Sequence, residues 1–197
     1  MRLYQAAFDK APSTALALRS FNAAFQAGEG GRGVTVLEGW LRRQPDALQA
    51  RAALAEGYLR LGQLAQARAG YETLLARDPQ NATAANNLAQ VLMRLNDAGA
   101  LPMAERAARL APADANALDT LGWLQARSGA LDVSLKTLRE ARLRAPESRD
   151  VRYHLAWVLH RTGRRDEARA ELAAALGARG VFESQAEAEV LRRELGV

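Results

Sequence analysis

Five of the six prolines stand on a ladder, since Pro12, Pro45, Pro79, Pro112 and Pro146 lie 33, 34, 33 and 34 residues apart. Proline lacks the amide proton that a helix interior needs, and its ring clashes with the preceding turn. A stop placed at so regular an interval marks one supersecondary unit copied several times. Gly62, Gly129 and Gly163 fall 17 residues before Pro79, before Pro146 and before the vacant rung at 180. Each copy is therefore divided near its middle by a residue able to take the left-handed conformation that ends a helix.

The two halves of each copy read as amphipathic helices. Leu54, Tyr58 and Leu61 recur at helical spacing, and Leu64, Ala67, Tyr71 and Leu74 follow suit. Leu54-Ala55, Leu88-Ala89, Leu121-Gly122 and Leu155-Ala156 occupy one equivalent site. Ala67, Ala100, Ser134 and Ala168 share a second site, and Tyr71, Ala104, Leu138 and Leu172 share a third. The small residue after each leucine lets the partner helix come close, and a larger one there is expected to cost about 1–3 kcal/mol by overpacking.

This Leu-Gly, aromatic, Gly, Ala, aromatic, Ala, Pro order resembles the tetratricopeptide repeat (TPR). The stretch Leu121-Gly122-Trp123 through Gly129 to Pro146 carries it most fully. The resemblance implies an all-α fold, an α–α superhelix of about five helical hairpins. Its expected divisions are a degenerate repeat at 13–45 and repeats at 46–79, 80–112, 113–146 and 147–180. They are framed by half a repeat at 1–12 and a capping helix at 183–195. Tyr4, Ala7 and Pro12 match only a second helix, so further repeats are expected upstream of Met1. Ser184-Gln185-Ala186-Glu187 reads as a capping box opening the final helix. In the degenerate repeat Phe21 and Phe25 suit a first helix, and Trp40 stands where the family places alanine, so packing there must differ. Pro102 lies off the ladder, in the first turn of a second helix, and the short 79–112 spacing points to a residue lost in the nearby turn.

Composition narrows the chemistry. A hydrophobic content of 49% is too high for a disordered chain. With no cysteine there is no disulfide, thiol nucleophile or thiolate metal site. No apolar run approaches the roughly 20 residues that span a bilayer, so no membrane contact is expected of these residues. The net charge of +5 is nearly all arginine, interleaved with Glu and Asp along the helices, and reads as solvated faces rather than a nucleic-acid footprint. Gly28, Gly30 and Gly33 spell G-x-G-x-x-G, but a helical segment precedes them where a dinucleotide site needs a strand, and they read as a loop. His154 and His160 are six apart on one helix and point to different sides, which offers no metal pair. Asn81-Ala82-Thr83 matches a glycosylation sequon and reads more simply as a helix cap. No cofactor and no catalytic activity are expected.

The family resemblance implies a surface. First helices of tetratricopeptide arrays line a concave groove, and the matching positions here include Arg60, Asn86, Asn87, Gln90, Arg94, Asp119, Trp123, Arg127, Tyr153, Trp157, His160 and Arg161. Arg60, Arg94, Arg127 and Arg161 share one site and are expected to form a ladder suited to carboxylates or phosphates. Trp123, Tyr153 and Trp157 would form an aromatic platform, and Trp157→Ala is expected to weaken binding with melting little changed. The chaperone-binding carboxylate clamp is not reproduced, because Ala52 and Glu56 stand at two of its positions. The expected function is a scaffold holding a protein or peptide, the alternatives being self-association or a regulatory domain of a larger enzyme such as a glycosyltransferase. Leu118-Asp119-Thr120-Leu121-Gly122-Trp123 and Arg152-Tyr153-His154-Leu155-Ala156 resemble the tetratricopeptide lipoproteins of the exosortase (PEP-CTERM) system of Gram-negative bacteria. That resemblance implies an exopolysaccharide-export or protein-sorting assembly, with a periplasmic or outer-membrane-anchored parent.

Overall fold

The computed structural model describes residues 13–177, 180 and 182–196, and the expected half-unit at 1–12 lies outside them. The described residues form eleven helices and no strand. The chain divides into two compact units, Met1–Ala98 and Gly99–Val197. The first holds α1 (Thr14–Gln26), α2 (Gly30–Arg43), α3 (Leu48–Arg60), α4 (Leu64–Arg77) and α5 (Ala82–Arg94). The second holds α6 (Ala100–Leu110), α7 (Ala115–Arg127), α8 (Leu131–Arg144), α9 (Arg149–Arg161), α10 (Arg165–Gly177) and α11 (Gln185–Leu195). The division falls inside the 80–112 repeat, in the turn after α5.

The same devices set every helix end. Each first helix of a hairpin closes with paired backbone bonds around a left-handed residue, as in Gln63 N–H to Tyr58 O (2.8 Å) and Gly62 N–H to Leu59 O (3.0 Å). The left-handed residue is Gly28, Gly62, Gly129 or Gly163 in four turns, and Asn96 (φ 53°) in the fifth. Asparagine is among the few other residues that enter this region at modest cost. At the far end, the residue before Pro45, Pro79, Pro112 and Pro146 takes φ between −135° and −127° with ψ between 70° and 83°. Proline forces its predecessor out of the helical region, so the helix stops there. Among the described residues Ser13, Asn81, Asp114 and Ser148 cap first helices, each accepting from a first-turn amide.

Helix α6 has 11 residues, against 14 in α4 and α8. Pro102 is its third residue, a position whose N–H has no partner inside a helix in any case. The first bond of the helix is therefore Met103 N–H to Gly99 O (3.1 Å), and residues 97–99 stay in the turn, where the residue is missing.

Packing follows one scheme in each unit. Successive helices pack on one another, and the first helices of neighbouring hairpins also touch: α1 with α3, α3 with α5, α7 with α9. The second helices α8 and α10 stand farther apart and are linked through long side chains, in the ion pairs Arg139–Glu167 and Arg142–Glu171. First helices thus form the crowded side of each unit. In the first unit Phe21, Leu37 and Trp40 build a core cluster, with the Trp40 indole N–H bonded to Thr14 Oγ1 at 3.1 Å. The neighbouring α3 makes room by carrying Gly57, where a Cβ would lie 2.8 Å from the Phe21 ring.

Two local expectations are corrected. Of the G-x-G-x-x-G glycines, only Gly28 is in a turn, while Gly30 and Gly33 lie within α2. A Cβ would meet Phe25 at Gly30 (2.8 Å) and Phe21 backbone at Gly33 (3.1 Å), so these glycines serve close helix packing. The capping box does not form either. Ser184 has φ −89° and ψ 20° and makes no side-chain cap bond. Its amide instead donates to Asp150 Oδ1 at 2.9 Å, tying the start of α11 to the start of α9.

Candidate binding face

The side chains with the most unusual environment lie on α7 and α9. Asp119, Trp123 and Arg127 are four residues apart on α7, as are Tyr153, Trp157 and Arg161 on α9, so each trio shares one helix face. Because α7 and α9 are neighbours, the trios meet. Trp123 stacks on the His154 ring at 4.4 Å and 18° and meets Trp157 edge-on at 5.3 Å and 83°. Tyr153 lies 6.0 Å from Trp123 and is buried, which pushes its hydroxyl pKa up to about 12 with help from Glu187 and Glu194. Trp123 and Trp157 stay partly exposed while packing on the core beneath. Trp157 packs against the core cluster, which predicts a stability cost on truncation where the sequence reading expects melting little changed.

Beside this cluster His154 Nδ1 lies 2.8 Å from Asp119 Oδ1, with both side chains largely buried. Burial pushes the imidazole pKa down. The Asp119 charge and hydrogen bond, reinforced by Asp150 and Glu183, outweigh that and raise it. The Asp119 contact orients the ring that stacks on Trp123. Sequence reasoning placed His154 on the right helix but had no signal for its pairing with a residue 35 positions away.

An open groove of about 480 Å³ runs beside the cluster, lined by Trp123, Ala126, Arg127, Gly129, Leu131, Tyr153, Trp157 and Arg161. Ala126, Gly129 and Leu131 were not foreseen, because two of them belong to the turn and to a second helix. His160 is placed elsewhere: its Nε2 lies 3.9 Å from Glu194 on α11, and its buried Nδ1 has no partner. Six residues along the helix from His154 is about 240° of rotation at 3.6 residues per turn, which turns it off this face.

Arg60, Arg94, Arg127 and Arg161 each end a first helix. The negative end of the helix dipole favours a cation there, which explains the shared position without any ligand. Two of the four reach the end of the preceding first helix: Arg60 lies over the Phe25 ring at 4.0 Å, and Arg94 donates to Leu59 O at 3.4 Å. Asn87 donates to the Tyr71 hydroxyl at 3.1 Å, and Asn86 is buried beside it. Gln90 is half-buried on the same helix. These residues of the first unit are engaged within it. Much of the remaining arginine also holds helices together. Arg68 pairs with Asp97, Arg77 with Asp46, Arg142 and Arg152 with Glu171, and Arg149 donates to Ala175 O.

A second groove of about 440 Å³ lies between α8 and α10 over α9. Leu155, Leu159 and Ala170 form its floor, Arg139, Arg142, Glu167 and Glu171 its rim, and Leu143 stands 76% exposed at the edge. Among the described residues no His, Asp and Glu cluster is arranged to hold a metal ion, and no helix is long and apolar enough to cross a membrane.

Helical hairpins closed by left-handed turns and stopped by proline, stacked first helix to first helix, define an all-α repeat protein of the solenoid class. Two family models described as tetratricopeptide repeat match residues 52–115 and 127–186, more than half of the chain together, and the chain belongs to the tetratricopeptide-repeat family. Solved structures agree in fold. A thermophilic TPR protein of Thermus thermophilus superimposes with a TM-score of 0.75 at 24% identity, over 93% of this chain and 98% of its own. PilF of Pseudomonas aeruginosa gives 0.75 at 19% identity over 91% and 81%. YrrB, described as a TPR protein with an unusual peptide-binding site, gives 0.65 at 19% over 97% of each chain. At these identities the likeness is one of fold. No curated protein matches the sequence.

Proposed function

We propose that the α7/α9 face docks a protein or peptide segment and that the chain works as a binding scaffold without catalysis. The observation that carries this is the open groove walled by Trp123 and Trp157, large apolar rings left partly exposed beside arginines. Aromatic and arginine side chains dominate the energetics of protein interfaces. The fold is one that commonly serves protein–protein interaction, and a fold neighbour is described as having a peptide-binding site. On the resemblance of Leu118–Trp123 and Arg152–Ala156 to the exosortase-system lipoproteins, the assembly would be one of exopolysaccharide export or protein sorting. Capture of partners from native extract tests the face, with Trp157→Ala and Leu131→Glu as controls checked for helix content. Loss of the same partner in both supports the reading, and retention in both refutes it.

Self-association is a second reading, favoured by the exposed Leu143 beside a groove whose rim carries both signs of charge. Light scattering over a concentration series, repeated with Leu143→Glu, measures it.

A further inference from the structure

We infer that the α7/α9 groove selects acidic peptides, taking a bulky apolar side chain against Trp123 and Trp157 and an adjacent carboxylate at Arg127 and Arg161. The inference rests on the docking reading above and adds the chemistry of the ligand. Its first support is charge. Both guanidinium groups line the groove, and no carboxylate lies within 4 Å of either among the described residues. Arg139, Arg142 and Arg152 in the same unit have glutamate partners, whereas Arg127 and Arg161 present exposed guanidinium groups to the groove. Arg161 is also held in place, its guanidinium 5.3 Å from the Trp157 ring. A planar cation fixed over an aromatic face keeps its outer edge for bidentate contact with a carboxylate.

The second support is the makeup of the lining. Apart from the two arginines it is tryptophan, tyrosine, leucine and small residues, with no acid or side-chain amide. A sugar draws on carboxylates and amides that accept from neighbouring hydroxyls, and the lining supplies neither, its one hydroxyl being that of the buried Tyr153. A basic peptide would meet uncompensated repulsion. A nucleic-acid strand brings a phosphate at every residue, whereas Glu187 and Glu194 lie close enough to Tyr153 to perturb its hydroxyl. Those carboxylates oppose a polyanion more strongly than a ligand with one carboxylate.

A third feature fixes the wall. The Asp119–His154 pair holds the ring on which Trp123 stacks, so the wall is formed before ligand arrives. A preformed apolar wall lowers the ordering cost of binding.

The test is selection of a random heptapeptide display library on the full chain, followed by titration of synthetic winners read by tryptophan fluorescence. The expected winners carry Asp or Glu next to Leu, Phe, Tyr or Trp. Arg127→Gln and Arg161→Gln are each expected to weaken binding about tenfold, matching the loss of one charge-assisted hydrogen bond. Replacing Glu by Gln in the peptide should do the same, and the two losses should not add. Neutral or basic winners that remain sensitive to Trp157→Ala would overturn the charge inference and leave the docking face standing. Winners indifferent to Trp157→Ala, Arg127→Gln and Arg161→Gln, or no winners, overturn both. Displacement of the peptide by oligo-dT at equal concentration overturns the peptide assignment in favour of nucleic acid.

Discussion

Adding one methyl group at two helical glycines should move stability in opposite directions. A Cβ built at Gly122 on α7 would lie 2.6 Å from Leu138 Cγ, 2.8 Å from its Cδ2 and 3.3 Å from its backbone nitrogen. Leu138 is fully buried, so its side chain cannot swing aside, and the backbone contact requires α8 itself to shift. Overpacking of this kind costs about 1–3 kcal/mol. The gain in helix propensity from glycine to alanine returns about 1 kcal/mol. Gly122→Ala should therefore destabilise by up to about 2 kcal/mol, lowering the midpoint of thermal unfolding by up to roughly 8 °C for a chain of this size. At Gly39 on α2 the same Cβ meets only the Arg42 guanidinium end, at 3.6 Å. Gly39→Ala should stabilise by about 0.5–1 kcal/mol through the unfolded chain. Circular dichroism melts of both variants measure the difference. In a Leu138→Ala background the cost of Gly122→Ala should fall, since the two tightest contacts are with that side chain and only the backbone contact at 3.3 Å stays. A stabilised Gly122→Ala in the native background would refute the reasoning. It would show that α7 and α8 can move apart to admit the methyl group.

Asn96→Ala should cost about 1–2 kcal/mol because alanine tolerates the left-handed turn poorly, while Asn96→Gly should be near neutral; urea unfolding distinguishes them. Ser148→Ala, which removes a formed cap, should cost about 1 kcal/mol. Ser184→Ala should fall within about 0.5 kcal/mol of the native protein, because that hydroxyl caps nothing. The His154 pKa is raised in the folded state, so its protonation stabilises the fold. That contribution is whole below the unfolded imidazole pKa of about 6.5 and disappears as pH climbs through the folded value. Asp119→Asn should flatten or reverse this slope in melts taken across neutral pH, and an unaltered slope would show that another group carries it. Trp157→Ala should lose about 0.5–1.5 kcal/mol with the edge-to-face contact to Trp123, detectable in the same melts.

Much of the fold was legible because its signals are local. The proline ladder and mid-unit glycines act on backbone within one or two residues, so the helix ends at Arg43, Arg77, Leu110 and Arg144 follow from chain order. Pro102 likewise stands in the first turn of α6, where its sequence position placed it. The failures were local in look but tertiary in cause. Gly30 and Gly33 read as a loop because glycine is a poor helix former, and only the Phe21 and Phe25 rings from α1 explain why they sit in a helix. Ser184 had the letters of a capping box, yet the Asp150 carboxylate on a neighbouring helix took its amide.

The binding face divides in the same way. Spacing by four put Asp119, Trp123 and Arg127 on one side of α7, and Tyr153, Trp157 and Arg161 on one side of α9. That these sides meet, that His154 lies between Asp119 and Trp123, and that Leu131 and Gly129 complete the groove depend on how two hairpins stack. The chain alone determined which residues are helical and where each helix stops, because proline, glycine and caps act over a single turn. Which side chains carry free charge and which are consumed in packing was decided by contacts between residues some 30 positions apart. The linear pattern of one repeat carries no record of what the next repeat presents to it.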